Sequence, residues 1–329
     1  MTHADVCARP ARRTGADSLS GVNSGILLLD KPQGLTSHDV VSRVRKVAGT
    51  RKVGHAGTLD PMATGLLVVG INSSTRLLTF LVGLGKTYEA TIRLGQSTDT
   101  DDAEGTIVSS TSAASVSDAD IDARLALLRG EIDQVPTTVS AIKVDGRRAY
   151  DLAREGVEVE LKPRRVTVSR FDVVARRRAE VADSVDDALA SGLAVVDLDV
   201  VVNCSSGTYI RALARDLGAS LGVGGHLTAL RRTMVGPFDI ADSSTLDDLD
   251  VERALLGPAR VASDLFPVLA MTAEQAVDLG HGKKLVVDLD DTPGPVAAIT
   301  PEGLLAGLVR ISGGAARPIV NFPRDEVIA

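Results

Sequence analysis

GHAGTLDPMATGLLVVG, residues Gly54 to Gly70, joins a turn-forming stretch to an apolar run. Its glycines, Asp60 and Pro61 are ordinary turn residues: Gly supplies positive φ, Pro presets its own φ, and Asp bonds nearby backbone. GLLVVG is either a compact buried strand or the start of a buried helix, because periodicity does not separate the two over so short a run. A turn alone does not require His55, five residues before Asp60. This segment leaves Asp60 open as nucleophile, general acid or simple turn former.

Working outward, GILLLDKP (Gly25–Pro32) reads as a short buried strand ending in a loop. SHDVVSRVRKVAG (Ser37–Gly49) has helical apolar spacing, with Ser37 available as N-cap. KTYEATIRLG (Lys86–Gly95) alternates, which predicts a strand with Tyr88, Ala90, Ile92 and Leu94 on one face. STDTDDAEG (Ser97–Gly105) is a polar loop, and SDADIDARLALLRG (Ser117–Gly130) starts like a capped helix and ends at Gly130. VPTTVSAIKVDGRRAYDLAREG (Val135–Gly156) combines an extended portion, a DG turn and a helix from Arg147 to Arg154. RRVTVSRFDVVARRR (Arg164–Arg178) and AVVDLDVVVNCSS (Ala194–Ser206) predict two strands, with an acidic insertion over 179–192 between them. GTYIRALARDLGASLG (Gly207–Gly222) reads as a helix with Ile210, Leu213, Ala214 and Leu217 on one side.

Together these pieces predict an α+β fold with largely antiparallel pairing rather than regular βαβ repetition. Residues 1–24 read as a flexible extension, 25–240 as the main domain and 241–263 as a linker. Residues 264–329 form a compact β-rich unit and tail, roughly 60 residues, too small to be comfortable alone.

Composition removes several function classes. The apolar strings are far shorter than the about 20 residues of a membrane span, so no membrane partner is expected. The N-terminal residues are basic but hold no apolar core like that of a secretion signal. Cys7 and Cys204 have neither metal spacing nor reason to form a disulfide, which fits a reducing cytoplasm. His3, His38, His55, His226 and His281 make no local ligand set, so no metal is expected. GVGG and DKPQG lack the GxxxxGK[ST] pattern of a triphosphate loop. Net charge is −7, yet Arg43, Arg45, Lys46, Arg51 and Lys52, and the Lys143–Arg178 region, concentrate positive charge. A local basic face binds phosphates whatever the total; the other reading is a solvated surface.

DKPQGLTS, GHAGTLDP, KTYEA and CSSGTYIRAL look like one polar cleft built from loops and strand ends. Tyr88 stacks on a ring or fills the core; Arg211 pairs with a carboxylate or is a solvated helix residue. The set allows a cofactor-free site with one carboxylate, two phenols and one cation.

These segments, with VPTTVSAIKVDGRRAYDLAREG and GGHLTALRRTMVGPF, resemble in order the motifs of the TruB family of transfer RNA pseudouridine synthases, over about Gly25 to Asp239. The resemblance implies that family's catalytic fold, a mixed and largely antiparallel sheet, with a small PUA-like C-terminal domain. It implies conversion of uridine to pseudouridine at position 55 of the T-loop of transfer RNA, without cofactor. Asp60 then corresponds to the nucleophile, Tyr88 to the stacking residue that takes part in proton removal, and Arg211 to the ion-pair partner of Asp60. Tyr209 and Leu230 line the base pocket, and His55 fills the space left by the flipped nucleotide. Lys31 and Pro32 hold the loop beneath the nucleophile, while Asp102 either contacts substrate or caps a turn. VPTTVSAIKVDGRRAYDLAREG points to the stand-alone bacterial type, a monomer without guide RNA that holds the T-stem-loop and contacts the acceptor arm. Alternatives are a synthase for another RNA uridine and a non-catalytic RNA-binding or folding protein.

Overall fold

In the computed structural model of the chain, the described residues are 23–137, 143–144, 147–148, 161–181 and 192–323. The apolar run after Asp60 is a strand. We label β1 Gly25–Lys31, β2 Val53–Ala56, β3 Thr64–Ile71 and β4 Lys86–Leu94. β1 and β3 pair antiparallel along their length, Gly25 opposite Ile71 and Lys31 opposite Gly65. Both faces of this pair are covered, which is why β1 and β3 read as continuous apolar runs rather than alternating ones. Leu27, Leu29, Leu67 and Val69 pack with Val40, Val41 and Val44 of helix α1, Ser37–Val47. Leu28, Leu66 and Val68 enter a different core cluster.

The N-cap of α1 is Thr36, not Ser37. Asp39 lies three residues after Thr36, so the two side chains close a capping box. Ser37, freed from that role, turns inward: its hydroxyl donates to the Leu59 carbonyl at 3.1 Å and accepts from the Leu59 N–H at 2.8 Å.

β4 alternates as its sequence predicts, with Lys86, Tyr88, Ala90, Ile92 and Leu94 buried. It lies between strands Gly225–Val235 and Leu193–Cys204 in a sheet of ten strands among the described residues. Only two of its ladders are parallel, β1 with Ser244–Thr245 and β3 with Gly225–Val235, so the sheet is mixed and largely antiparallel. Leu213, Ala214 and Leu217 of the helix Ile210–Ser220 pack with Tyr88, Ile92 and Leu94.

Strands Arg164–Val181 and Leu193–Cys204 form a long hairpin in which Val181 faces Leu193. Residues 179–181, expected in the insertion, therefore belong to the strand; 182–191 lie outside the described residues. Arg165, Arg170, Arg176, Arg177 and Arg178 of this strand all pair with neighbouring aspartates. Much of its positive charge is thus compensated within the fold. Lys143–Val144 pairs with Arg147–Arg148 as a small hairpin, so the helix expected from Arg147 does not begin there; 149–154 lie outside the described residues. The polar loop after β4 is itself a hairpin, Gln96–Thr98 with Ile107–Ser110.

Residues 241–263, expected as a linker, carry structure of their own. Ser244–Thr245 extends the sheet beside β1, and Leu256 exchanges backbone hydrogen bonds with Ile26. Val261 and Ala262 share a core cluster with Ile26, Leu66, Leu305 and Leu308, which joins the C-terminal unit to the main sheet. That unit is PUA-like and β-rich: five strands in the order Val268–Ala270, Val296–Ile299, Leu305–Ser312, Ala315–Asn321, Leu285–Val286.

One glycine fixes the geometry needed below. Gly65 has φ +103°, and a Cβ there would lie 2.2 Å from the Arg232 carbonyl, at the parallel crossing of β3 with Gly225–Val235. Gly65→Ala is expected to destabilise the fold by about 3 kcal/mol, through backbone strain and a clash that no rotamer relieves. Urea unfolding measures it; a loss under about 1 kcal/mol would contradict this account.

Candidate active site

The turn at Asp60 is a loop between β2 and β3, fixed by three buried side chains. Lys31, at the end of β1 and fully buried, donates from Nζ to the carbonyls of Leu35 at 2.7 Å, Pro32 at 2.9 Å and Pro61 at 3.3 Å. Burial lowers its pKa to about 8, against the pull of Asp60. Ser37 grips Leu59 as described above. Arg232, also fully buried, donates to the carbonyls of Leu66 at 2.7 Å, Gly57 at 3.0 Å and Thr58 at 3.4 Å. Asp60 is therefore presented by a backbone that has few other conformations available.

Arg211 lies in the first turn of the helix Ile210–Ser220. That helix start is held by Gln134, whose side chain accepts from the Tyr209 N–H at 2.8 Å and donates to the Tyr209 carbonyl at 3.0 Å. The buried Arg211 guanidinium reaches Asp60 Oδ2 at 3.0 Å, Asp102 Oδ2 at 3.1 Å and the Thr100 carbonyl at 2.8 Å. A planar fork with several fixed donors can serve three acceptors at once. Asp102, with its side chain 4% exposed, also accepts from Thr100 Oγ1 at 2.7 Å and the Glu104 N–H at 3.0 Å. Of its two readings the structure supports turn capping, to which it adds a hold on Arg211.

Asp60 remains 37% open on its side chain and faces a cavity of about 260 Å³. Pockets for drug-sized ligands run from about 300 to 1,000 Å³, so this one suits a single ring. Tyr88, Tyr209, Arg211 and Leu230 line it, as do Lys86 and Arg232. Burial pushes the Asp60 carboxyl above the ordinary carboxylate range, with Arg211 opposing and Asp102 reinforcing. Burial likewise raises the Tyr88 phenol, against the nearby Arg232 guanidinium, so the hydroxyl keeps its proton at neutral pH. A carboxylate with an oriented oxygen, beside a ring-stacking wall, can act as a nucleophile toward a flat heterocycle or its sugar.

Asp60, Tyr88, Tyr209, Arg211 and Leu230 are thus brought together. His55 is not among the lining residues; it sits half-buried on β2 opposite Val69, with its pKa lowered by burial. Pro32 is exposed and contributes its carbonyl to Lys31. Sequence reasoning missed Lys86, Gln134 and Arg232. The signal for Lys86 was its separation of two residues from Tyr88, which puts both on one strand face. Gln134 and Arg232 had no local signal, because their partners come from other strands and loops. Among the described residues, no group of three His, Cys, Asp or Glu side chains could hold a metal ion.

Known proteins match nearly the whole chain. The N-terminal domain of TruB family pseudouridylate synthases matches residues 45–210. The tRNA pseudouridylate synthase B C-terminal domain matches 211–269, and the tRNA pseudouridine synthase II C-terminal domain matches 266–323. The tRNA pseudouridine synthase B of Leifsonia xyli subsp. xyli is 55% identical over 311 residues, covering 93% of this chain and 99% of the relative. That of Thermobifida fusca is 51% identical over 298 residues, covering 91% and 98%. A chain of the crystal structure of a Cbf5-Nop10-Gar1 complex superposes with TM-score 0.65 at 25% identity, covering 93% of this chain and 87% of that one. With the catalytic half and both C-terminal segments matched in order, on this sheet and around this cavity, the chain belongs to the TruB family of pseudouridylate synthases.

Proposed function

We propose that this enzyme converts uridine to pseudouridine at position 55 in the T-loop of transfer RNA, with Asp60 as nucleophile. The observation that carries the reading is the Asp60 carboxylate, held by buried Arg211 at the edge of a cavity fit for one pyrimidine ring. The relatives' names, tRNA pseudouridine synthase B, support transfer RNA as substrate.

The isomerisation needs no redox partner. The N1–C1′ bond breaks, a C5–C1′ bond forms, C5 loses a proton and N1 gains one. Asp60 attacks either ribose C1′, from which C5 displaces it as C5–C1′ forms, or uracil C6, from which it is eliminated as C5 loses its proton after C5–C1′ has formed. Tyr88 stacks on the turned-out ring beside Leu230 and Tyr209, and its hydroxyl takes part in removal of the C5 proton as a relay, giving up its own proton as it accepts. Arg211 aims the carboxylate, while Lys31 and the Pro32 carbonyl keep the loop beneath it in place. His55, outside the cavity, takes the space in the T-loop that the extracted nucleotide leaves.

Unmodified transfer RNA incubated with the protein should gain one pseudouridine, at position 55, by base-resolution mapping. An unchanged T-loop in folded substrate would reject the assignment, and modification elsewhere would identify another uridine as target. Because Asp60 must be ionised to attack, and burial raises its carboxyl, the single-turnover rate should fall with decreasing pH before an ordinary aspartate would protonate. A rate that stays level until the ordinary aspartate range would contradict that role.

We read the enzyme as a cytoplasmic monomer that works without guide RNA; the C-terminal matches, to segments of tRNA pseudouridylate synthase B and tRNA pseudouridine synthase II, support transfer RNA as its substrate. The C-terminal unit contacts the acceptor arm. Arg310 and Arg317, both exposed, face each other across two antiparallel strands. Like charges in direct register are unfavourable, and a phosphate between them removes the repulsion. Arg310→Glu with Arg317→Glu should weaken transfer RNA binding about tenfold and reduce the salt dependence by about two phosphate contacts. The saturating single-turnover rate should be unchanged, and unaltered affinity would remove the C-terminal contact.

A further inference from the structure

In the K-x-Y segment that opens β4, Tyr88 has a place in the proposed reaction and Lys86 has none. Both line the cavity beside Asp60. Lys86 is 8% exposed, and its Nζ donates to the carbonyls of Leu84 at 2.8 Å and Val82 at 3.1 Å. The titratable groups facing it are Arg232, the Cys204 thiol from the adjacent strand, and Tyr88 on its own strand. None is a carboxylate. A buried ammonium without a counter-ion is unfavourable for the fold, and such groups concentrate at functional sites.

Arg232 does not fill the same role. Its donors serve the carbonyls of Leu66, Gly57 and Thr58 and the Tyr88 hydroxyl, so its charge is tied into the loop and the stacking tyrosine. An ammonium carries three donors, and Lys86 uses two of them on backbone. A Cβ on Gly57 would lie 3.3 Å from Lys86 Cε and 3.5 Å from Arg232 Nη1. Both cations therefore converge under the loop that presents Asp60, and Lys86 has a donor left for a ligand.

We propose that Lys86 is a further catalytic residue, whose ammonium stabilises the negative charge that the uracil ring acquires when Asp60 attacks. This rests on the reaction proposed above but not on its route. In attack at C1′, the Asp60 oxygen–carbon bond forms as N1–C1′ breaks, and the departing pair stays on N1 and O2 of the ring. In attack at C6, the oxygen–C6 bond forms and the C5–C6 pair moves onto C5 and O4. Either way the ring becomes anionic inside a poorly hydrated cavity, where a fixed cation acts strongly. On the C1′ route the charge returns to Asp60 as C5 displaces the carboxylate; on the C6 route N1–C1′ breaks and C5–C1′ forms first, N1 takes a proton, and the carboxylate leaves as C5 loses its own.

The test compares wild type with Lys86→Met and Lys86→Arg, in single turnover on transfer RNA carrying uridine or 5-fluorouridine at the target position. Loss of the N-glycosidic nucleoside is the readout. Lys86→Met should lower the rate about 100-fold with uridine, with RNA affinity nearly unchanged. Fluorine withdraws electrons from the ring and takes over part of the stabilisation, so with 5-fluorouridine the defect should shrink to about tenfold or less. A purely structural lysine would give the same defect with both nucleosides, and that result would overturn the proposal. Burial brings the Lys86 pKa to about 8, so the wild-type rate should fall as pH rises through that value. Lys86→Arg, which stays charged, should lose this alkaline limb, giving a second test if Lys86→Met does not fold. Lys31, also brought to about 8 by burial, leaves its own limb in both proteins, so a limb of unchanged depth and midpoint in Lys86→Arg would equally overturn the role. Absence of any conversion by wild type would instead count against the proposed function itself.

Discussion

Asp60→Asn is expected to lower the single-turnover rate by about 10⁴-fold or more, with transfer RNA affinity within a few fold of wild type. The substitution keeps the volume and removes the attacking carboxylate and its charge. It should not unfold the protein. Arg211 keeps Asp102 and the Thr100 carbonyl as partners, and the loop is held by Lys31, Ser37 and Arg232, none of which bonds the Asp60 side chain. Because burial raises the Asp60 carboxyl in the folded protein, its ionised form opposes folding. Stability relative to the neutral form is present below the unfolded pKa and lost as pH rises through the folded one. Asp60→Asn should therefore melt at or above the wild-type temperature at pH 7, with the difference disappearing on acidification. Full turnover by the variant would reject the nucleophile, and a melting temperature well below wild type at pH 7 would reject this reading of the site's electrostatics.

The second large effect is expected at Arg211. Arg211→Met removes the group that aims Asp60 and leaves Asp102 buried without its cation. Breaking a buried ion pair from one side costs about 3 kcal/mol or more, so this variant should lose both stability in urea and, by about 10³-fold, the chemical step. Arg211→Lys separates the two effects. One ammonium keeps a charge near Asp102 but cannot hold Asp60, Asp102 and the Thr100 carbonyl in one plane. It should recover most of the stability and little of the rate. Recovery of the rate in Arg211→Lys would show that charge alone, and not the orientation of the carboxylate, is what the arginine supplies.

Within the fold, the most legible features were those whose cause is local. Alternation placed Tyr88, Ala90, Ile92 and Leu94 on the buried face of β4, because successive strand residues point to opposite sides whatever the neighbours are. The capping box at Ser117 and Asp120 starts its helix by a bond three residues long. The N-cap of α1 was displaced by one residue for an equally local reason, since Thr36 and not Ser37 has the acidic partner at the right distance. GLLVVG was ambiguous because a strand covered on both faces and a buried helix have the same composition over a few residues.

The candidate site divides the same way. By itself the sequence determined that Asp60 sits on a turn before a buried element, that Tyr88 shares a strand face with Ala90, Ile92 and Leu94, and that Arg211 lies on a helix; the structure starts that helix at Ile210 rather than Gly207. The tertiary structure alone decided that Arg211 bridges Asp60 and Asp102, that Arg232 and Lys31 hold the loop, and that Lys86 shares the cavity without a counter-ion. Those meetings depend on sheet order and register, above all on the parallel crossing that sets Arg232 beside Gly65. Strand and helix periods repeat within a few residues and carry no information about which distant strand becomes a neighbour. The same separation explains the arginines of Arg164–Val181, which read as a basic face until folding set aspartates beside them. Charge along a chain is local, whereas its compensation is a property of the packed surface, where opposite charges from remote segments approach closely enough to pair.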